Sequence, residues 1–246
     1  MSKSMRALQV AAIAGMLCSP VILGARTDEG YKSGQATKHD KKEAKAAAKI
    51  NEAEQVLKAS VSAPDQGIPK DLLEKAECVG VFPGFKKVAL GVGGEGGKGI
   101  FTCRTGHGMS PPAFFKIGGG SIGWQAGIEE ADLVLLVMNE EGMNKLLTDK
   151  VKIGADISAA AGPVGRKAEA STDAMMNAQI LSWSRSRGAF AGASLEGLVL
   201  TQDEDDNEML YDKPVEAREI LSADTDSLPV PQIAKSFIKT TEQYTD

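Results

Sequence analysis

Gly118-Gly119-Gly120-Ser121-Ile122-Gly123-Trp124-Gln125-Ala126-Gly127-Ile128, followed by the apolar run Leu133-Val134-Leu135-Leu136-Val137-Met138, decides the fold class of this chain. Side chains alternate between the two faces of a strand. Read that way, positions 120, 122, 124, 126 and 128 carry Gly, Ile, Trp, Ala and Ile, while 119, 121, 123, 125 and 127 carry Gly, Ser, Gly, Gln and Gly. One face holds the bulk and the other is nearly bare backbone. A bare face weakens a strand and marks close approach by another backbone, a helix or a ligand. It either seats a helix or accepts an acyl chain, and a helix is the favoured occupant. The run 133–138 is apolar on both faces, as a fully buried strand is.

Upstream, the pattern predicts a meander. Strands are expected at Cys78–Phe82, Lys87–Gly93 and Gly99–Arg104, with turns at Pro83-Gly84 and Gly94–Gly97 and a loop over Thr105–Pro112. Downstream, a short helix is expected at Glu140–Leu147 and a strand at Val151–Ala161. A loop carrying Arg166 and Lys167 then leads into an Ala-rich linker. Gln179–Arg187 and Gly188–Leu200 read as a strand pair, Asp203–Asn207 as a solvated acidic turn, and Glu208–Tyr211 as the strand completing that hairpin. Two helices flank the sheet. Helix formers fill Lys41–Ser60, with Ala46, Ile50, Ala53, Leu57 and Val61 as an apolar stripe opposite clustered lysines. Pro231–Tyr244 forms the other. The fold class is α+β: a bent, largely antiparallel sheet tending towards a barrel, flanked by helices in one domain.

Lys3 and Arg6 precede an apolar run from Ala7 to Ala25, the pattern of a secretory signal cleaved near Ala25. Lipidation at Cys18 competes, although Met16-Leu17 lacks the small residues that reaction prefers. The organisation is then a signal peptide over 1–25, a tether over 26–40, an amphipathic helical region over 41–68 and the main domain over 69–246. Such a chain is exported to the periplasm or cell envelope. Loss of Lys3 and Arg6 moves the formal charge from −5 to −7, an acidic balance that weighs against general nucleic-acid binding. Cys78 and Cys103 then remain, either as a disulfide or as two buried thiols.

Several motifs fail on context. Gly91-Val92-Gly93-Gly94-Glu95-Gly96 fits GxGxxG but leads into a strand rather than a helix. Gly97-Lys98 lacks the Ser/Thr of a phosphate-binding loop. Asp203, Asp205 and Asn207 have calcium-loop spacing, but Glu208 and Pro214 occupy the positions needing Gly and an acid. Ser121 and His107 have no nucleophile elbow or acid partner. No catalytic residue, metal site or cofactor emerges. Basic residues at strand ends and loops are more informative, because a cluster of them would take phosphate by charge-assisted hydrogen bonds.

Val81-Phe82-Pro83, Gly91–Gly99, Ser110-Pro111-Pro112-Ala113-Phe114, Gly118–Gly127, Gly162-Pro163-Val164-Gly165-Arg166, Ser184-Arg185-Ser186-Arg187-Gly188 and Phe190-Ala191-Gly192 together resemble the SYLF domain. The match runs from Asp71 to Leu221, with Met109 where the family has Trp and Trp183 where it has Tyr. The resemblance implies a non-enzymatic lipid-binding module. Eukaryotic members bind phosphoinositides with the aid of an amphipathic helix, yeast members also bind actin, and exported bacterial members bind phospholipid or fatty-acyl ligands. The helix at 41–60 occupies the place of that membrane helix. It either approaches an anionic surface or packs its stripe on the domain. The expected partner is an anionic phospholipid membrane or a fatty-acyl ligand, held by Lys98, Arg166, Lys167, Arg185 and Arg187 with Lys41, Lys45 and Lys49 of the helix. The alternative is an envelope scaffold contacting another protein through the Asp203–Asn207 hairpin or the C-terminal helix.

Overall fold

A computed structural model describes residues 38–63, 67–165, 177–186, 188–223 and 227–245. The signal segment, the tether up to residue 37, Arg166, Lys167, the Ala-rich linker and Arg187 lie outside the described residues, and the end of the expected tether, 38–40, is helical. Residues 36–246 form one compact unit. Its elements are helix α1 (Lys38–Ser62), α2 (Lys70–Glu74), strand β1 (Cys78–Thr105), β2 (Gly108–Met109), β3 (Ala113–Val137), α3 (Glu140–Leu146), β4 (Lys150–Lys152), β5 (Ala159–Ala161), β6 (Ile180–Ser186), β7 (Ala189–Gly192), β8 (Val199–Gln202), α4 (Glu204–Tyr211), α5 (Ala217–Ser222) and α6 (Lys235–Thr245). The last follows a 3₁₀ turn at Gln232–Ala234.

Where several short strands were expected, β1 and β3 are two long strands paired antiparallel from Cys78↔Val137 to Phe101↔Ala113. The Gly94–Gly97 run is strand rather than turn, opposite Ile117–Gly120. Pro83-Gly84 makes a bulge, with Gly84 at φ 64° and its N–H donated to Asp132 Oδ1 at 3.0 Å. This ribbon curls until its ends meet. A straight strand would place Cys78 and Cys103 roughly 80 Å apart, yet their Cα atoms are 3.9 Å apart and their sulfurs are bonded. Arg104 N–H donates to Glu77 O at the same closure (2.7 Å). Glycine permits the crossing. A Cβ at Gly80 would lie 2.3 Å from the Phe101 ring, and one at Gly99 would lie 2.3 Å from Val81 O. The result is a half-barrel in the order β2-β1-β3-β6-β5, with β8 joining β3 at its other end, β4 beside β8 and β7 beside β6. Every pairing between these strands is antiparallel except β5 with β6.

The curl separates two cores. Phe82, Phe101, Phe115, Leu133, Leu135 and Val137 face inward with Ile220 and Leu221 of α5. Val79, Val81, Phe114, Val134, Leu136 and Trp183 face outward under α1 and α6. The alternation along 133–137 is that of a strand buried on both sides, as its sequence predicts. The α1 stripe is also as expected: Ala46, Ile50, Ala53 and Leu57 are buried and Val61 is half-buried. This stripe packs on the domain and is not free to enter a membrane. Glu54 fastens the helix by accepting hydrogen bonds from Ser236 Oγ (2.8 Å) and Thr240 Oγ1 (3.1 Å) of α6. Burial opposes its ionisation, but Lys58, Ser236 and Thr240 outweigh that and hold its pKa low.

Other expectations are corrected. The strand expected over Val151–Ala161 is β4 and β5, interrupted at Gly154 (φ 87°), where Asp156 Oδ2 accepts from Lys152 N–H. The strand expected over Gly188–Leu200 is β7 and β8, broken by Gly197 (φ 86°). The acidic hairpin is helix α4. Glu204, Asp205 and Asp206 fill its first turn, where the helix dipole favours negative charge. Met109 and Trp183 are core residues. The Trp183 indole N–H donates to Pro163 O (2.8 Å), so its polar end is satisfied away from solvent.

Candidate anion-binding groove

The N-terminal half of α1 crosses one end of the β1–β3 ribbon, and a groove of about 510 Å³ opens between them. Lys42, Lys45 and Lys49 stand at positions i, i+3 and i+7 of α1, one helical face, and line it together with Lys98 of β1. Ala46, Ala48 and Phe114 supply apolar surface, and Glu52 and Asp206 supply the acidic groups. Four lysines against two carboxylates leave a formal charge of +2. Lys49 Nζ lies 2.8 Å from Glu52 Oε2 and donates to Pro83 O at 3.1 Å, which ties the helix to the β1 bulge.

Lys98 stands directly opposite Lys116 in the β1–β3 register. Two adjacent cations repel, and a buried acid resolves the conflict. Asp203, with no exposed side chain, places Oδ2 2.6 Å from Lys98 Nζ and Oδ1 2.8 Å from Lys116 Nζ. Both contacts are ion pairs. Asp206 Oδ2 adds a second contact to Lys98 at 2.7 Å. Burial pushes the Asp203 carboxyl up, but the two lysines overcome it and the pKa lies below its ordinary value. Burial likewise disfavours the Lys98 charge, and Asp203 and Asp206 reverse that, so its pKa is raised. Lys98 is therefore a fixed, permanent cation at the mouth of the groove. The backbone is clamped here too. Asp203 N–H donates to Phe114 O (2.9 Å), and Asn207 Oδ1 accepts from Phe114 N–H (2.6 Å).

The groove thus brings together Lys45, Lys49 and Lys98 of the expected site. Lys41 is exposed on α1 but does not line it. Arg185 is engaged elsewhere. Its Nε and Nη2 donate to Asp132 Oδ2 at 2.9 and 2.6 Å, and its guanidinium lies over Phe190, 5.5 Å from the ring centroid. It is a brace between β3 and β6 rather than a free phosphate ligand. Lys42 and Lys116 belong to the basic clusters the sequence shows but were not expected at the site, and Asp203 was expected in a solvated turn. Helical spacing from Lys45 and Lys49 was signal enough for Lys42, whereas Asp203 gave no sign of burial. The bare glycine face is packed at Gly119 and open at Gly127. A Cβ at Gly119 would press on Leu198 at 2.8 Å, while one at Gly127 would meet nothing within 4 Å.

On the far side of α4, Asp149, Glu204, Glu208, Glu216 and Glu219 line a second, acidic groove of about 460 Å³. His107 is exposed in the turn between β1 and β2. Among the described residues no helix is long and apolar enough to cross a membrane.

The profile of the family described as Las17-binding protein actin regulator, Ysc84, matches residues 118–244. The chain belongs to this family, the SYLF domain family. It is similar to SH3 domain-containing YSC84-like protein 1 of Homo sapiens, with 32% identity over 209 residues, covering 84% of this chain and 59% of that protein. The same-named protein of Xenopus laevis is 32% identical over 211 residues, 83% of this chain and 62% of its own. LAS seventeen-binding protein 3 of Saccharomyces cerevisiae is 32% identical over 186 residues, 74% of this chain and 40% of its own. The chain spans about three-fifths of the animal relatives' length and two-fifths of the yeast protein's.

Proposed function

We propose that this protein is a non-enzymatic module that binds anionic phospholipid head groups through the lysine groove, at a membrane surface of the cell envelope after export. The observation that carries the reading is the convergence of Lys42, Lys45 and Lys49 from α1 with Lys98 from β1. Lysine is a point charge, so phosphate capture needs several ammoniums around one volume rather than a single fork. The half-exposed Lys98, held by Asp203 and Asp206, keeps its position before a ligand arrives. Asp206 and Glu52 reduce the groove's charge and favour ligands carrying more than one negative group. The acidic groove beyond α4 would be repelled by the same surface, so the domain docks with α1 towards the lipid. The signal-like segment and the Cys78–Cys103 disulfide support an oxidising, exported location.

Co-sedimentation with phosphatidylcholine vesicles, with and without phosphatidylglycerol, tests this. Each lysine near an anionic surface contributes about 1 kcal/mol, so Lys42→Ala/Lys45→Ala is expected to weaken binding roughly thirty-fold. The effect should fade as salt rises. Equal, negligible binding of the unaltered protein to both vesicle types would end the proposal.

A protein partner is the second reading, favoured by a groove of about 540 Å³ lined by Met209, Tyr211, Leu228, Pro229, Pro231 and Ile233. The family description names binding to Las17. Capture of a specific partner that survives Lys42→Ala/Lys45→Ala but is lost with Ile233→Asp would support it.

A further inference from the structure

The middle of the β1–β3 ribbon leaves the half-barrel as a two-stranded arm. β3 pairs with β8 only over residues 115–118 and with β6 only over 132–137, and β1 pairs with β2 only at 104–105. Among the described residues, nothing but the partner strand pairs with 85–94 or 120–131. Val88 and Ile128 stand directly opposite each other on this arm. They are 41% and 74% exposed, the large apolar side chains left in solvent among the described residues. Lys86 and Glu130 are the pair two residues nearer the base, so alternation puts them on the same face. Their charged groups are 3.8 Å apart. Lys87 turns to the other face, where it reaches Glu95 at 3.4 Å.

This face is apolar at its centre and charge-balanced beside it, with the cation on β1 and the anion on β3. We propose that it binds the same face of a second copy of this chain. Two arms stacked about a two-fold axis along the ribbon lay β1 of each over β3 of the other. Val88 then meets Ile128 of the second copy, and Lys86 meets its Glu130, twice each. An anionic membrane fits the face less well, because exposed Glu130 would point at it. The inference is independent of the lysine groove. The area limits the strength. The described part of this face is the two cross-strand pairs Lys86–Glu130 and Val88–Ile128, which offer well under the ~800 Å² per partner of a stable complex. The dimer is therefore weak and concentration-dependent.

Sedimentation velocity of the purified protein from about 10 µM to about 1 mM tests it. The unaltered protein should shift reversibly towards dimer, and Ile128→Asp should weaken association at least tenfold. Ile128 is already in solvent, so far-UV circular dichroism and Tm should stay unchanged. Lys86→Glu and Glu130→Lys alone should each weaken association, and an equimolar mixture of the two variants should restore it. In the mixture every cross-copy pair is again opposite in charge, while each chain's own pair is still like-charged. A protein monomeric throughout overturns the proposal, as does unchanged association of Ile128→Asp or a mixture that stays dissociated. So does an Ile128→Asp variant whose only defect is vesicle binding, which would make the arm a lipid contact.

Discussion

Asp203→Asn isolates the charge arrangement behind the lysine groove. The substitution keeps the shape of the side chain and removes one buried negative charge between two ammoniums, at 2.6 and 2.8 Å. Breaking a fully buried pair costs about 3–5 kcal/mol. Both lysines are nearly half exposed, so solvent screening reduces this to roughly 2 kcal/mol. For a domain of this size that is a fall in Tm of about 4–8 °C. The pH dependence identifies the cause. The folded-state pKa of Asp203 is depressed, so its stabilisation is present above the unfolded value of about 3.9 and is lost as pH falls through the folded value. Urea unfolding at a series of pH values should therefore show a gap between the two proteins at neutral pH that closes below about pH 4. Lys98 keeps Asp206 in the variant while Lys116 loses its described partner, so Lys116→Met should rescue part of the loss. The freed charge should also strengthen binding to anionic vesicles, by up to about fivefold. A gap that persists unchanged into acid, or no gap at all, would refute the electrostatic account.

Gly162→Ala should cost roughly 1–3 kcal/mol, because the new Cβ would lie 2.1 Å from the buried Trp183 indole; an unchanged Tm would contradict this packing. Cys78→Ala/Cys103→Ala opens a ring spanning 25 residues of sequence separation, and chain entropy sets the loss near 3.5 kcal/mol. Chemical denaturation should show it, and intact mass under non-reducing conditions should show the unaltered protein two hydrogens lighter than its reduced form. Unmodified thiols in the native protein would remove both the cross-link and the argument for an oxidising compartment.

The sheet and its flanking helices were legible because their signals are local. Leu133–Val137 is apolar on both faces and lies between two cores, and the α1 stripe is buried where its period places it. The curl was not legible. Gly94–Gly97 has the composition of a turn, yet that run stays in register opposite Ile117–Gly120. Its glycines serve a crossing of the ribbon over itself: a Cβ at Gly97 would lie 3.2 Å from Phe85 Cα, in a segment twelve residues earlier. A contact between distant parts of one strand leaves no periodicity to read. The bare face is ambiguous for the same reason. Lack of a side chain can mean a packed backbone, as at Gly119, or no neighbour, as at Gly127, and composition does not distinguish them.

The site divides along the same line. Lys45 and Lys49 belong to one helical face, so their meeting followed from spacing. Lys98 joins them because the curled ribbon passes under α1. Asp203 reversed its expected role for a reason that also explains Arg185. Acidic residues at a chain turn are ordinarily solvated, but a carboxylate is buried when cations meet it there. Asp203 receives Lys98 and Lys116, which face each other across β1 and β3, and Asp132 receives Arg185 across β3 and β6. Asp203 settles a conflict between two cations made by strand register, while Asp132 is the direct cross-strand partner of Arg185. Lys98, with a second acid and half its side chain in solvent, is left at an open groove. Arg185, gripped twice by one carboxylate and stacked on Phe190, is not. Basic residues at strand ends are thus divided into ligands and braces by which strand lies opposite, a fact held in the pairing rather than in any one stretch of the chain.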